Sequence, residues 1–159
     1  MQSAPSLRVA VLIERCKAPN PWQEWVFQIA EVVLDVEQFG ATSRLLRDDG
    51  KRALFVHPGL TVTLFRDEAE GYYLNLTSGH PAWFVMWRID DSDASRAWPE
   101  IVTLSYNEAA RFLDAQERVD IVPLPAEARE WLQAFTDQNY RPEPKHRRRP
   151  VSFVAPDER

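Results

Sequence analysis

The densest cluster of charged side chains in the body of this sequence is RDEAE, from Arg66 to Glu70. Neighbouring carboxylates can serve as an acid and a base where burial separates their pKa values. Here the cluster stands at a predicted hairpin turn, where charged residues are usually solvated. We therefore predict no catalytic pair. Instead, we expect a small recognition corner formed by Arg66, Glu70, Tyr72 and Asn75.

Other residues that could do chemistry are sparse. Cys16 is the single cysteine, and although Arg15 and Lys17 could lower the pKa of its thiol, we interpret it as inert and partly buried. The three histidines show no metal-ligand spacing, and His57 and His80 each precede a proline, as turn residues do. The five glycines stand at predicted turns and form no phosphate-binding loop. We therefore predict no catalytic residues, no metal site and no cofactor.

Two further features indicate a protein-binding surface. Trp22 follows Pro21 at the boundary of an element, and an exposed Trp is a typical anchor of protein contacts. Residues 141–149 hold five Lys or Arg and one Glu, ending in Arg147, Arg148 and Arg149. We name Trp22 and these three arginines as candidate interaction residues. For the basic run, simple solvation and binding of nucleic acid or anionic lipid stay open as alternatives.

Charge and composition restrict the class of protein. The formal net charge is −5, so the body that precedes the basic run is acidic, which argues against a nucleic-acid-binding face on it. The length of 159 residues suits one domain, which we place at 1–140, followed by a disordered, Pro-rich basic tail at 141–159. No apolar run is long enough for a signal peptide or a membrane span. We expect a cytoplasmic protein that does not bind membranes.

Period-two patterns of apolar residues predict that most of the chain forms strands. Leu7–Arg15 is apolar on both faces, as an interior strand would be. Residues 43–47 and 51–57 flank Asp48-Asp49-Gly50, a hairpin signal, with the next turn at His57-Pro58-Gly59. We read Leu60–Ile89 as a three-strand antiparallel meander, whose middle strand carries Tyr72 and Asn75.

The segment from Trp22 to Phe39 fits two structures. Apolar residues at spacings of four and three fit an amphipathic helix. Many of them are β-branched, however, which favours a strand. In a strand, the apolar positions change from odd to even near Ala30-Glu31, as a β-bulge there would produce. We favour the bulged strand and keep the helix as the alternative.

The C-terminal third combines strands with two helices. We predict a polar loop at Asp90–Trp98 and short strands at Ile101–Leu104 and Arg118–Val122. Ser105 and Glu108 have the spacing of a capping box, and Pro125 can open a second helix. The inward residues of the two helices are Ala109, Phe112 and Leu113, then Ala128, Trp131, Leu132 and Phe135. The predicted fold is α+β, a mainly antiparallel sheet with two C-terminal helices packed on it.

Several motifs together resemble an uncharacterised bacterial family, domain of unknown function 3305. They are NPWQ at residues 20–23, RDEAEGYYLNL at 66–76, VPLP at 122–125 and the basic tail. The resemblance spans roughly residues 7–149. It implies a cytoplasmic bacterial protein encoded near molybdenum-dependent formate dehydrogenases. Some members carry a name from molybdopterin-guanine dinucleotide synthesis, but the Gly-rich loop of such a nucleotidyltransferase is replaced here by ERCKAPN after the first strand.

These observations lead to one expected function and one alternative. We expect a non-enzymatic accessory or binding protein whose partner is another protein. By the resemblance, that partner is a subunit or maturation factor of a molybdenum-dependent formate dehydrogenase. The alternative is a small enzyme or ligand-binding protein that acts on a pterin or nucleotide in molybdopterin cofactor metabolism, with Arg66 and Glu70 at its site.

Overall fold

Strand-forming residues dominate the first half of the described chain, and its α-helices begin only at Ala69. The structure, a computed structural model, describes residues 4–142. This part contains β1 (Ser6–Lys17), β2 (Trp25–Leu34), β3 (Arg44–Asp48), β4 (Arg52–Thr63), α1 (Ala69–Leu76), β5 (Ala82–Asp90), β6 (Asp93–Thr103), α2 (Tyr106–Asp114), β7 (Arg118–Pro123) and α3 (Ala126–Asn139). Short 3-10 turns lie at Glu37–Phe39 and Arg66–Glu68. The predicted α+β class with antiparallel sheets is confirmed.

The strands form two antiparallel sheets. Sheet A has the order β2-β1-β4-β3, and sheet B has the order β6-β5-β7. Strand β1 therefore lies in the interior of sheet A, as its two apolar faces predicted. Strand β5 is central in sheet B and is buried on both faces from Ala82 to Trp87.

The core lies between the two sheets and α3. Val9, Val11 and Ile13 of β1 join Trp83 and Val85 of β5 in one buried cluster. Helix α3 adds Ala128 and Leu132 to that cluster, which agrees with its predicted apolar stripe. Burial of this apolar surface is the main force that holds the layers together.

A single carboxylate also connects the two sheets. Asp120 of β7 accepts a hydrogen bond from Trp87 Nε1 at 3.1 Å. Its other oxygen accepts a hydrogen bond from the backbone N–H of Ile29 in β2 at 3.4 Å. This Asp satisfies an indole donor of sheet B and a main-chain donor of sheet A at the layer boundary.

The ambiguous segment after Trp22 forms a strand with a bulge. In the ladder between β1 and β2, Leu12 pairs with Glu31 while Ile13 pairs with Ile29, so that Ala30 is the extra residue. The parity change in the apolar pattern therefore had the cause we favoured. The bulged strand is confirmed, and the helix alternative is wrong.

The middle strand of the predicted meander is wrong, because its residues belong to helix α1. Ala69, Tyr72 and Leu76 are buried at spacings of three and four residues, while Tyr73 and Leu74 are exposed. A stretch of eight residues with apolar positions at 72, 74 and 76 fits both periods. The flanking strands β4 and β5 consequently lie in different sheets.

Two predicted breaks between strands are also wrong. Strand β4 continues through His57-Pro58-Gly59, where a register shift against β1 accommodates the extra residues and Gly59 takes a φ of +84°. The N–H of Gly59 donates to Asp35 Oδ2 at 2.8 Å. The bulge thus tolerates Pro58, which has no N–H to contribute to the ladder.

The second such break was the predicted loop at Asp90–Trp98, most of which is strand. Strand β6 already begins at Asp93. Asp90 accepts hydrogen bonds from the N–H and the hydroxyl of Ser92, which closes the turn within two residues. The polar composition of this segment reflects a position at the edge of sheet B and not a long loop.

Candidate functional site

The predicted recognition corner is largely part of the protein interior. Tyr72 is buried, its hydroxyl accepts a hydrogen bond from the N–H of Phe65 at 2.9 Å, and burial raises its pKa to about 12. The amide of Asn75 is buried too, donating to the carbonyls of Ala82 and Leu104 and accepting from the N–H of Ala82. Because α1 turns both side chains inward, they do not lie on the surface where we expected them.

The charged cluster beside this corner attaches α1 to α2. Glu68 accepts a hydrogen bond from Ser105 Oγ at 2.6 Å and forms an ion pair with Arg111. Glu70 accepts a hydrogen bond from Asn107 Nδ2 at 3.1 Å, and Arg66 is exposed at the start of its 3-10 turn. Two of the cluster's carboxylates thus bond side chains of α2. Of the predicted recognition corner, only Arg66 and Glu70 remain on the surface.

Of the other candidate residues, Trp22 is the one that the structure describes. Its side chain is 84% exposed in the β1–β2 connection. That connection is closed by the N–H of Gln23, which donates to Asn20 Oδ1 at 2.9 Å. A role for Trp22 as an anchor stays a prediction, and Arg147, Arg148 and Arg149 lie outside the described residues.

A second apolar surface is built where α2 crosses the outer face of sheet B. Ser105 caps this helix by accepting a hydrogen bond from the N–H of Glu108 at 3.1 Å, as the capping-box pattern predicted. Ala109 packs inward, and the rings of Tyr106 and Phe84 meet edge to face at 6.4 Å. Strand β7 forms the other wall, because Ile121 pairs with Phe84 in the ladder.

This surface is a groove of about 350 Å³, which we call the α2 groove. Three apolar side chains that line it are well exposed: Ile121 by 68%, Leu113 by 57% and Tyr106 by 51%. The prediction that Leu113 points inward is therefore wrong, and Ala109 is the buried residue of α2. Exposed apolar groups gathered in this way mark interaction surfaces more often than scattered ones do.

Ser78 and His80 contribute polar groups to the lining of the α2 groove. Ser78 Oγ donates to the carbonyl of Asn75 at 2.7 Å, and the N–H of His80 lies 3.2 Å from that hydroxyl oxygen. Its lining residues in the described part of the chain include no Asp, Glu, Lys or Arg. The groove is therefore suited to an apolar side-chain row with polar ends, as an amphipathic segment presents.

Cys16 shows no sign of a reactive thiol. Burial and a neighbouring carboxylate, Glu14, raise its pKa, and Cys16 Sγ lies 3.5 Å from Glu14 Oε1. The cations that flank it in sequence therefore do not activate it, because adjacent residues of a strand point to opposite faces. Among residues 4–142, no three His, Cys, Asp or Glu side chains gather closely enough to hold a metal ion. No helix in that range is long and apolar enough to cross a membrane.

The sequence contained a signal for the α2 groove that we did not use. Strand β7 carries Val119 and Ile121 on one face and Val122 on the other, so both faces are apolar. An edge strand of a two-layer fold needs only one apolar face. The second apolar face of β7 therefore indicated an apolar surface outside the core. The position of α2 shows where that surface lies.

Comparison with known proteins identifies a family and nothing more specific. A family described as "Protein of unknown function (DUF3305)" matches residues 8–149. No curated protein matches the chain, and no solved structure does.

Proposed function

The chain belongs to the DUF3305 family, and on that premise we propose that it is a non-enzymatic accessory protein that binds another protein through the α2 groove. The observation that carries the proposal is the exposure of Ile121, Leu113 and Tyr106 around one uncharged groove. Together with the ring of Phe84 at its base, these side chains form an apolar surface that the described chain leaves open. Aromatic and aliphatic groups around a concave site are the usual anchors of a protein contact.

The form of the groove indicates how the partner binds. A helix on one side and an edge strand on the other leave a channel that accepts a row of apolar side chains. Ser78 and His80 add polar groups to the lining, with which a polar group of the partner can pair. We therefore expect an amphipathic segment of the partner to lie along α2.

As the partner we propose a subunit or a maturation factor of a molybdenum-dependent formate dehydrogenase in the cytoplasm. The resemblance of the NPWQ, RDEAEGYYLNL and VPLP motifs supports this choice, since it implies proteins encoded beside such enzymes. Trp22 and the basic run that ends in Arg149 are additional contact candidates. The α2 groove supplies the main contact, because three of its apolar side chains are more than half exposed.

The test is a quantitative pull-down of the tagged full chain from its native host. Ile121→Asp places a charge in the groove and is expected to reduce recovery of the dehydrogenase subunit or maturation factor at least about tenfold, as loss of an interface anchor does. Leu46→Asp is the matched control, since Leu46 is an exposed apolar residue of β3 away from the groove. It should leave recovery unchanged. Urea unfolding of both variants verifies that each is folded.

Two results would contradict the proposal. Failure to recover any formate dehydrogenase subunit or maturation factor with the parent chain would eliminate the proposed partner. Equal recovery by the Ile121→Asp and Leu46→Asp variants would show that the partner binds elsewhere on the chain.

A further inference from the structure

A pocket of different character lies between the inner face of sheet A and strand β6 of sheet B. Sheet A has four strands and sheet B three. The pocket measures about 430 Å³ and is bounded by the inner face of sheet A and by β6. The ladder places Arg15 of β1 beside Phe27 of β2, and it pairs the neighbouring Ile13 with Phe55 of β4, so these side chains share that face.

Arg15 occupies a position that apolar residues hold along the rest of β1. Val9, Val11 and Ile13 precede it on the same face. Its guanidinium carbon lies 4.4 Å from the ring centroid of Trp25 and 5.1 Å from that of Phe55. The Nη1 group donates to the carbonyl of Ser95 at 2.9 Å. The side chain is therefore fixed in orientation before any ligand binds.

The hydrogen-bonding capacity of Arg15 is only partly used. Its Nε is buried and has no hydrogen-bond partner in the part of the chain that the structure describes. No ion pair within residues 4–142 includes Arg15. A half-buried guanidinium without a carboxylate partner is costly, and its planar fork suits an oxyanion.

His57 provides a second unpaired polar atom beside the same pocket. Its Nδ1 lies 2.9 Å from Ser43 Oγ, whereas its Nε2 is buried and has no partner among the described residues. Burial lowers its pKa to about 4, so the ring is neutral at pH 7 and hydrogen-bonds without adding charge. Arg44 and Arg96 also line the pocket, and none of its described lining residues is Asp or Glu.

We propose that this pocket binds a small organic carboxylate, with the carboxylate on Arg15 and an apolar body against the wall formed by Phe27, Leu45 and Phe55. The excess of positive charge selects an anion, and the guanidinium of Arg15, whose Nε has no partner among the described residues, holds the carboxylate. The neutral ring of His57 borders the bound ligand. The volume suits a ligand of modest size, because small-molecule sites start at about 300 Å³.

This site is separate from the α2 groove. The groove lies on the outer face of sheet B, whereas the carboxylate pocket lies on the inner face of sheet A. The two sets of lining residues have no member in common. The inference therefore goes beyond protein binding, and its test does not depend on the partner.

The test uses benzoate as the probe, with benzamide as its uncharged counterpart of the same shape. Titration of the full-length, isotope-labelled chain is followed by NMR through the Nε–H signal of Arg15. Benzoate is expected to shift that signal and to bind with a dissociation constant of about 1 mM. Benzamide and inorganic phosphate should each bind at least about tenfold more weakly, since one lacks the charge and the other lacks the apolar body.

Variants locate the binding site. Arg15→Gln should weaken benzoate binding at least about tenfold, whereas Arg47→Gln, an equal charge change at an exposed residue of β3, should not. Because Arg15→Gln also removes contacts with Trp25 and Phe55, Leu45→Trp is a second variant, which fills the pocket from a half-exposed position. It should weaken binding to a similar extent while the chain stays folded.

Three outcomes would overturn the proposal. The first is a titration in which benzoate shifts no signal of the pocket. The second is binding of benzamide or phosphate as tight as that of benzoate. The third is a Leu45→Trp variant that binds benzoate as tightly as the Arg47→Gln control does.

Discussion

At the residue scale, the neutral ring of His57 connects the proposed pocket with the pH dependence of stability. Burial lowers its pKa from 6.5 to about 4. Between these two values the unfolded chain binds a proton that the folded chain does not. The free energy of unfolding therefore falls as the pH drops from 6.5 towards 4, and above pH 6.5 His57 contributes no further change.

The resulting prediction concerns His57→Gln, which removes the titrating group. Between pH 7 and pH 4.5 the parent chain should lose about 1–2 kcal/mol more stability than the variant, since the partly exposed ring keeps some hydration. Urea unfolding at both pH values measures the difference. His80→Gln, at an exposed histidine before β5, is the matched control and should behave as the parent does. Equal pH slopes for the parent and His57→Gln would contradict the assignment.

Single positions also show how far the site residues could be predicted from the sequence. Arg15 follows Val9, Val11 and Ile13 at the same parity of β1, so a charged residue in an apolar row was visible in the sequence. Its meaning was not, because the pocket forms only where β6 of sheet B meets the inner face of sheet A. Tyr72 and Asn75 show the opposite case. Their residue types predicted a recognition surface, but both side chains are buried and support the fold.

At the element scale, short segments were predictable where the local chemistry allowed one structure. The Asp-Gly hairpin between β3 and β4, the capped start of α2 and the bulge at Ala30 each have such a signal. Helix α1 has only eight residues, and its apolar spacing fits a strand equally well. Contacts with α2 and α3, which the sequence does not show, determine its structure.

The contact between α1 and α2 gives the next prediction. A Cβ on Gly71 would lie 2.0 Å from Ser105 Oγ and 3.2 Å from the backbone nitrogen of Asn107. The backbone of α2 cannot yield without loss of its cap, so Gly71→Ala should destabilise the fold by about 1–3 kcal/mol. Glu70→Ala, at an exposed position of the same helix, should cost at most about 1 kcal/mol. Urea unfolding compares the two, and similar values would show that the helices do not pack this closely.

At the scale of the whole molecule, the described core is complete without the basic tail. The residues of the buried cluster and those packed against it run from Leu7 to Phe135. Both proposed sites also lie within the described residues. The two-layer body should therefore fold, and should bind its two ligands, without residues 143–159.

A chain that ends at residue 142 tests this independence. Its free energy of unfolding should lie within about 0.5 kcal/mol of that of the full chain, because the described core ends at Phe135. Recovery of the partner should persist and should still be lost with Ile121→Asp, because the α2 groove supplies the main contact. The full chain with Ile121→Asp serves as the reference for loss of binding. If truncation alone abolishes recovery of the partner, then Arg147, Arg148 and Arg149 make the contact. In that case the assignment of the binding site to the α2 groove would be wrong. The salt dependence of recovery separates the two cases. Charged contacts made by the tail weaken as ionic strength rises, whereas apolar contacts in the groove do not.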